Sequence, residues 1–144
     1  EKLLGEIPEG ACVLVYNLAF EKRVLKELGE FLPKLRKALS AVADGLIDLM
    51  EPFRRRDVYH WGMNGSYSLK SVLPALVPEM TYEGMEISGG EMASEAYFRM
   101  GEISDPAELA KLRKDLLDYC RQDTLGLVRL VEKLRAIEAV DGKR

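Results

Sequence analysis

Two acidic side chains stand where the local pattern asks for apolar ones. Leu109, Leu112, Leu116, Tyr119, Asp123, Leu127, Leu130, Leu134 and Ile137 follow one another at spacings of three or four, the period of one helix face. Eight of these nine are apolar or aromatic, and the ninth is Asp123. A carboxylate withdrawn from water is costly unless a cation or a set of donors receives it. Glu21 holds a similar place, on a helical stripe with Val24 or Leu25, Leu28 and Phe31 or Leu32. Two carboxylates far apart in sequence, each on an inward stripe, could converge on a divalent cation. Oxygen ligands without a His/Cys cluster suit Mg²⁺ or Mn²⁺ rather than zinc. Simpler receivers are also open. A glutamate in a first helical turn is favoured by the helix dipole alone, by under about 1 kcal/mol, and Asp123 could pair with Arg129.

The elements that must position these acids follow from periodicity and punctuation. The run "ACVLVY" at 11–16 reads as a strand buried on both faces, bounded by "PEG" and Asn17. A helix is predicted from Ala19 to Phe31, ended by Pro33, and a second from about Lys34 to Ala43. "GLIDLM" at 45–50 reads as a second buried strand, stopped by Pro52. Glu21 therefore lies where a strand hands over to a helix, the edge where α/β sheets bind ligands. The middle segment "FRRRDVYHWGMNGSYSLKS" is predicted to be a surface loop. Ser68 or Ser66 can cap a helix reaching about Leu76, limited by Pro74 and Pro78. "EMTYEGMEISGGE" is a second loop, and Gly89–Gly90 leads into a short helix. Asp105, Pro106 and Glu108 form a strong start for the last helix: cap, first position and capping-box acid. Alternating strands and helices predict one α/β domain over 1–144 with a largely parallel sheet.

Composition narrows the classes. The chain has 144 residues, 47% hydrophobic, enough for a real core. A formal net charge of −3 argues against a protein that coats nucleic acid, though not against a nuclease whose positive charge comes from metal ions. Cys12 and Cys120 show no metal-ligand spacing and fit a reducing cytoplasm. No apolar run is long enough to span a bilayer, and no signal peptide is evident. The opening "EKLLGEIPEG" starts at Glu1 in helical character, as expected of a piece of a longer protein.

Asn17-Leu18-Ala19-Phe20-Glu21 followed by Tyr119-Cys120-Arg121-Gln122-Asp123 resembles the second and third motifs of the ribonuclease-H-like 3′–5′ exonucleases of the DEDDy type. The phrases "GSYSLKSVLPALVP" and "EISGGEMASEAYF" resemble an uncharacterised bacterial family within that superfamily, some of whose members carry a RecB-like nuclease region. The resemblance implies a ribonuclease-H-like α/β fold and exonucleolysis at a single-stranded end of DNA or RNA, with Mg²⁺ or Mn²⁺ as cofactor. It implies Asp123 and Glu21 as metal ligands, Tyr119 as the orienter of the attacking water, and Asn17 and Phe20 as walls for the terminal nucleotide. The superfamily's first motif, Asp-x-Glu, occurs nowhere in the chain. The expectation is therefore a fragment without its first strands, inactive alone and prone to self-associate through an open sheet edge. The alternative is a catalytically silent nucleic-acid-binding or docking module of a larger nuclease.

Further residues could serve a nucleic-acid strand. Arg54, Arg55 and Arg56, with Lys34, Arg36 and Lys37, could guide a phosphate backbone, and Tyr59, His60, Trp61 and Tyr67 could stack on bases, with Lys70 close by in sequence. A solvated basic loop with packed aromatics is the plainer reading. His60, the one histidine, stands far in sequence from both acid motifs. Asp48 follows a strand and could approach the site or cap the next turn. "SGG" at 88–90 could cradle phosphate or merely permit a turn.

Overall fold

A computed structural model of the chain describes residues 2–8 and 10–141, so Glu1 and Glu9, on which the reading of the chain's opening partly rests, lie outside the described residues. The elements in order are α1 (Lys2–Glu6), β1 (Val13–Val15), α2 (Leu18–Phe31), α3 (Arg36–Asp44), β2 (Leu46–Asp48), α4 (Glu51–Arg54), α5 (Leu69–Leu76), α6 (Gly90–Arg99) and α7 (Pro106–Asp141). Single 3₁₀ turns cover Pro33–Leu35 and Trp61–Met63. The chain is mixed α/β and mostly helical, and it divides into two compact units, Glu1–Tyr59 and His60–Arg144.

In the first unit β1 and β2 pair in parallel, with Val13, Leu14 and Val15 opposite Leu46, Ile47 and Asp48. Parallel neighbours require a crossover, and α2 and α3 supply it. The two helices pack closely at Gly29: a Cβ there would lie 3.4 Å from the Arg36 backbone, whose side-chain Nε donates to the Gly29 carbonyl at 3.2 Å. Leu39, Leu46, Leu49 and Phe53 form the core, and the Tyr16 ring stacks on Phe53.

Three expectations are corrected here. The strands are not buried on both faces: β1 is half-buried along its length and Ile47 is 53% exposed. Among the described residues this sheet has only two strands, too few to be covered from both sides. The inner face of α2 runs through Glu21, Leu25 and Gly29, while Leu28 and Phe31 are exposed, Phe31 at 82%. Spacing of three and of four are both helical, and the buried partner decides between them. The segment from Phe53 is not loop from its start, since α4 takes in Phe53 and Arg54.

The second unit is built on α7, whose 36 residues rise about 54 Å. Asp105 caps it as the sequence predicts, the Ala107 N–H donating to Asp105 Oδ1 at 3.0 Å, while Glu108, expected as the capping-box acid, pairs with Arg99 at 3.7 Å. None of the nine stripe residues is exposed, and Leu130 is wholly buried. The stripe packs on α5 through Leu73, which comes so close to Gly126 that a Cβ there would meet a Leu73 methyl at 2.6 Å. It packs on α6 through a cluster of Ile87, Ala96 and Leu112, with Leu116 and Tyr119 against it. Ser68 takes the cap position of α5, but its hydroxyl turns to Ser66 and Ser71 rather than to the helix N–H groups. Gly89 caps α6 in extended backbone. No helix among the described residues is long and apolar enough to cross a membrane.

Candidate functional site

Tyr119 and Asp123 lie four residues apart on α7 and so share one face. The receiver of Asp123 is a residue the sequence did not single out. Tyr82, in the segment between α5 and α6, donates its hydroxyl to Asp123 Oδ1 at 2.6 Å. That is the length of a hydrogen bond to a charged oxygen. Tyr82 is 8% exposed, and its ring lies 6.4 Å from that of Tyr119, tilted by 51°. One residue earlier on each side, Gln122 Nε2 donates to the Thr81 carbonyl at 3.1 Å. Arg129, the partner considered for Asp123, is paired with Glu132 instead.

The electrostatics assign Tyr119 a role. Burial first, then hydrogen bonding to Asp123 and its negative charge, push the Tyr119 phenol well above the usual tyrosine range. Tyr119 therefore stays protonated across neutral pH and can donate or orient, but it cannot act as a base there. Beside this cluster lies an open cleft of about 500 Å³, lined among others by Lys70, Thr81, Tyr82 and Ser88. The Lys70 ammonium lies against Gly89, where a Cβ would stand 2.4 Å from Nζ. A larger groove of about 710 Å³ flanks α7, and neither Tyr119 nor Asp123 lines it or the smaller cleft.

The first unit holds the other candidate residues. Glu21 sits half-buried in the first turn of α2, and desolvation raises its carboxyl above the ordinary range. Asn17 precedes the helix in left-handed backbone, φ 83°, and its side chain does not cap. The cap comes from Asp48 at the end of the neighbouring strand, which accepts from the N–H groups of Asn17 and Leu18 at 3.2 Å each and of Met50 at 3.0 Å. Of the two readings open for Asp48, capping is the one observed, and the helix capped is α2. Tyr16, raised by burial and then by the Asp48 charge, is also held protonated. Phe20 is exposed, with the Arg23 guanidinium 5.4 Å from its ring centre.

The remaining candidates sort by their partners. Arg54 pairs with Glu51, and Arg55 with Asp57 at 3.2 Å, so both basic side chains are engaged within their own segment. Tyr59, Trp61 and Tyr67 expose their rings. His60 Nδ1 accepts from the Gly62 N–H at 3.1 Å and shapes the turn there, a local structural use. Arg54, Arg55 and Tyr59 belong to the first unit; Trp61, Tyr67 and Lys70 belong to the second.

Tyr82 donates to Asp123 and Tyr119 stays protonated, so the cluster offers a hard cation one carboxylate, whereas Mg²⁺ is often held by one or two carboxylates plus water and substrate phosphates. One carboxylate does not make a metal site by itself, and no group of three or more His, Cys, Asp or Glu that could hold a metal exists among the described residues.

Fold and site together describe a mixed α/β protein with an acid–phenol cluster on its long helix. Residues 1–68 match a protein family described as Domain of unknown function (DUF2779). Nothing among curated proteins or solved structures matches the chain. The family match covers the Asn17–Glu21 motif and stops short of Tyr82, Tyr119 and Asp123.

Proposed function

We propose that the chain belongs to a metal-dependent 3′–5′ exonuclease of the ribonuclease-H-like kind, acting on an unpaired end of DNA or RNA. The observation that supports it best is Asp123, set four residues after a protonated Tyr119 on a buried helix face. Parallel strands joined through helices in the first unit are compatible with that fold. Asp123 would hold Mg²⁺ or Mn²⁺ in the second unit, and Glu21 is the candidate ligand within the first. A bound divalent ion supplies charge for the phosphoryl oxygens and lowers the pKa of its water. Tyr119 would orient the attacking water as a donor. Asn17 and Phe20 would line the nucleotide pocket, and Lys70 and Tyr67 would meet the strand, with Arg54 and Arg55 free to do so only by leaving Glu51 and Asp57.

A specific observation favours a second reading. Asp123 already has a receiver in Tyr82, and the chain contains no Asp-x-Glu, as a catalytically silent binding or docking module of a larger nuclease would allow. One experiment separates the two. The protein carrying this chain is incubated with end-labelled single-stranded DNA or RNA and Mn²⁺, beside Asp123→Asn and Tyr119→Phe. Shortening from the 3′ end that both substitutions suppress is the expected result. Binding without shortening supports the silent nucleic-acid-binding module, and neither binding nor shortening leaves only the protein-docking form of the second reading.

A further inference from the structure

The one tryptophan of the chain, Trp61, is 79% exposed, yet its backbone is firmly held. It opens the 3₁₀ turn Trp61–Met63, where the Gly62 N–H donates to His60 Nδ1 and the Asn64 N–H to the Trp61 carbonyl, each at 3.1 Å. Met63, 1% exposed, anchors the turn from beneath, and a Cβ on Gly62 would stand 3.4 Å from the Ala75 methyl of α5. The His60 ring lies 5.4 Å from the indole at a tilt of 33° and backs it on one side. A flat ring held out from a rigid turn has little conformational freedom left to lose when a partner covers it.

The charge around it selects the partner. Residues 60–78 contain no Asp or Glu, although the whole chain carries 24 acids against 21 Lys and Arg. An indole face also accepts cations, and a cation would want a balancing carboxylate that this segment lacks. An anionic strand meets no like charge from the segment and finds Lys70 in the first turn of α5. We propose that the Trp61 indole is a stacking platform for an unpaired nucleobase of a single strand. This rests on the nucleic-acid reading above and deepens it, giving a base-binding role to a residue that reading leaves without one. Stacking of this kind tolerates any sequence, because every base has a π-face, and it needs neither a metal nor a phosphate contact.

Because the chain has one tryptophan, its indole fluorescence reports this ring alone. Single-stranded oligothymidylate is titrated into wild type, Trp61→Phe and Trp61→Ala, beside an abasic strand of equal length that carries the same phosphates and no bases. The expected result in wild type is saturable quenching by oligothymidylate and none by the abasic strand. By anisotropy of the labelled strand, Trp61→Ala should bind oligothymidylate about 10-fold more weakly or worse, with Trp61→Phe between it and wild type. Affinity for the abasic strand should be the same in all three. Oligothymidylate binding that leaves the indole unquenched and is unchanged in Trp61→Ala, or equal losses for both strands, overturns the platform and leaves the nucleic-acid reading intact. No binding of either strand to wild type removes that reading and the proposal with it.

Discussion

Asp48 in the first unit and Asp123 in the second are both carboxylates drawn partly out of water, and they are received differently. Asp48 accepts from three backbone N–H groups, two at the start of α2 and one two residues after itself. Asp123 is held by side-chain hydroxyls, Tyr82 on another segment and Tyr119 on its own helix. Backbone donors cannot leave without unwinding the helix start, so Asp48 is committed to holding the fold. Tyr82 is a side-chain donor, so its bond can be deleted without moving any backbone. The difference teaches that a buried acid is a functional candidate according to what holds it, more than according to how buried it is.

The largest expected effect tests the structural side of this contrast. Asp48→Ala leaves the first N–H groups of α2 without their acceptor and should cost about 2–3 kcal/mol of stability, read as a lower urea midpoint. Asp123→Asn, whose amide oxygen can still accept from Tyr82, should cost clearly less. Equal losses would break the comparison. Asn17 supplies a smaller effect, because its left-handed backbone is what turns its own N–H toward Asp48. Asn17→Ala should cost about 1 kcal/mol, whereas Asn17→Gly should be near neutral. Identical behaviour of the two variants would mean the positive φ carries no strain.

The smallest effect concerns Glu21, whose carboxyl is raised by desolvation without a donor to offset it. The folded state then holds its proton to higher pH than the unfolded chain does. Stability associated with the protonated form is fully present below the unfolded pKa and is lost as pH rises through the folded one. Glu21→Gln should therefore raise the melting temperature slightly at pH 7 and leave it unchanged near pH 4. A gain that persists at low pH would mean that charge is not the cause.

Much of this was legible in the residues. The period of α7, its Asp105–Pro106 start and the anomaly of an acid on its stripe follow from local geometry, since a helix places residues three and four apart on one face whatever surrounds it. The parallel pairing of two short apolar runs follows from the helix-forming stretch between them. The inner face of α2 was less legible, because Leu28 and Phe31 fit the helical period as well as Gly29 does, and only the Arg36 backbone packed on Gly29 selects the face.

Tyr82 was not legible at all. It stands 41 residues from Asp123 in a loop of ordinary composition, and no spacing connects a loop tyrosine to a helix acid. Sequence by itself determined that α7 would form and that Asp123 would need a receiver, because helical period and the cost of desolvating a carboxylate are local facts. Tertiary structure alone decided which group receives it. That choice depends on the path of residues 77–89 across α7, set by side-chain packing between segments distant in the chain.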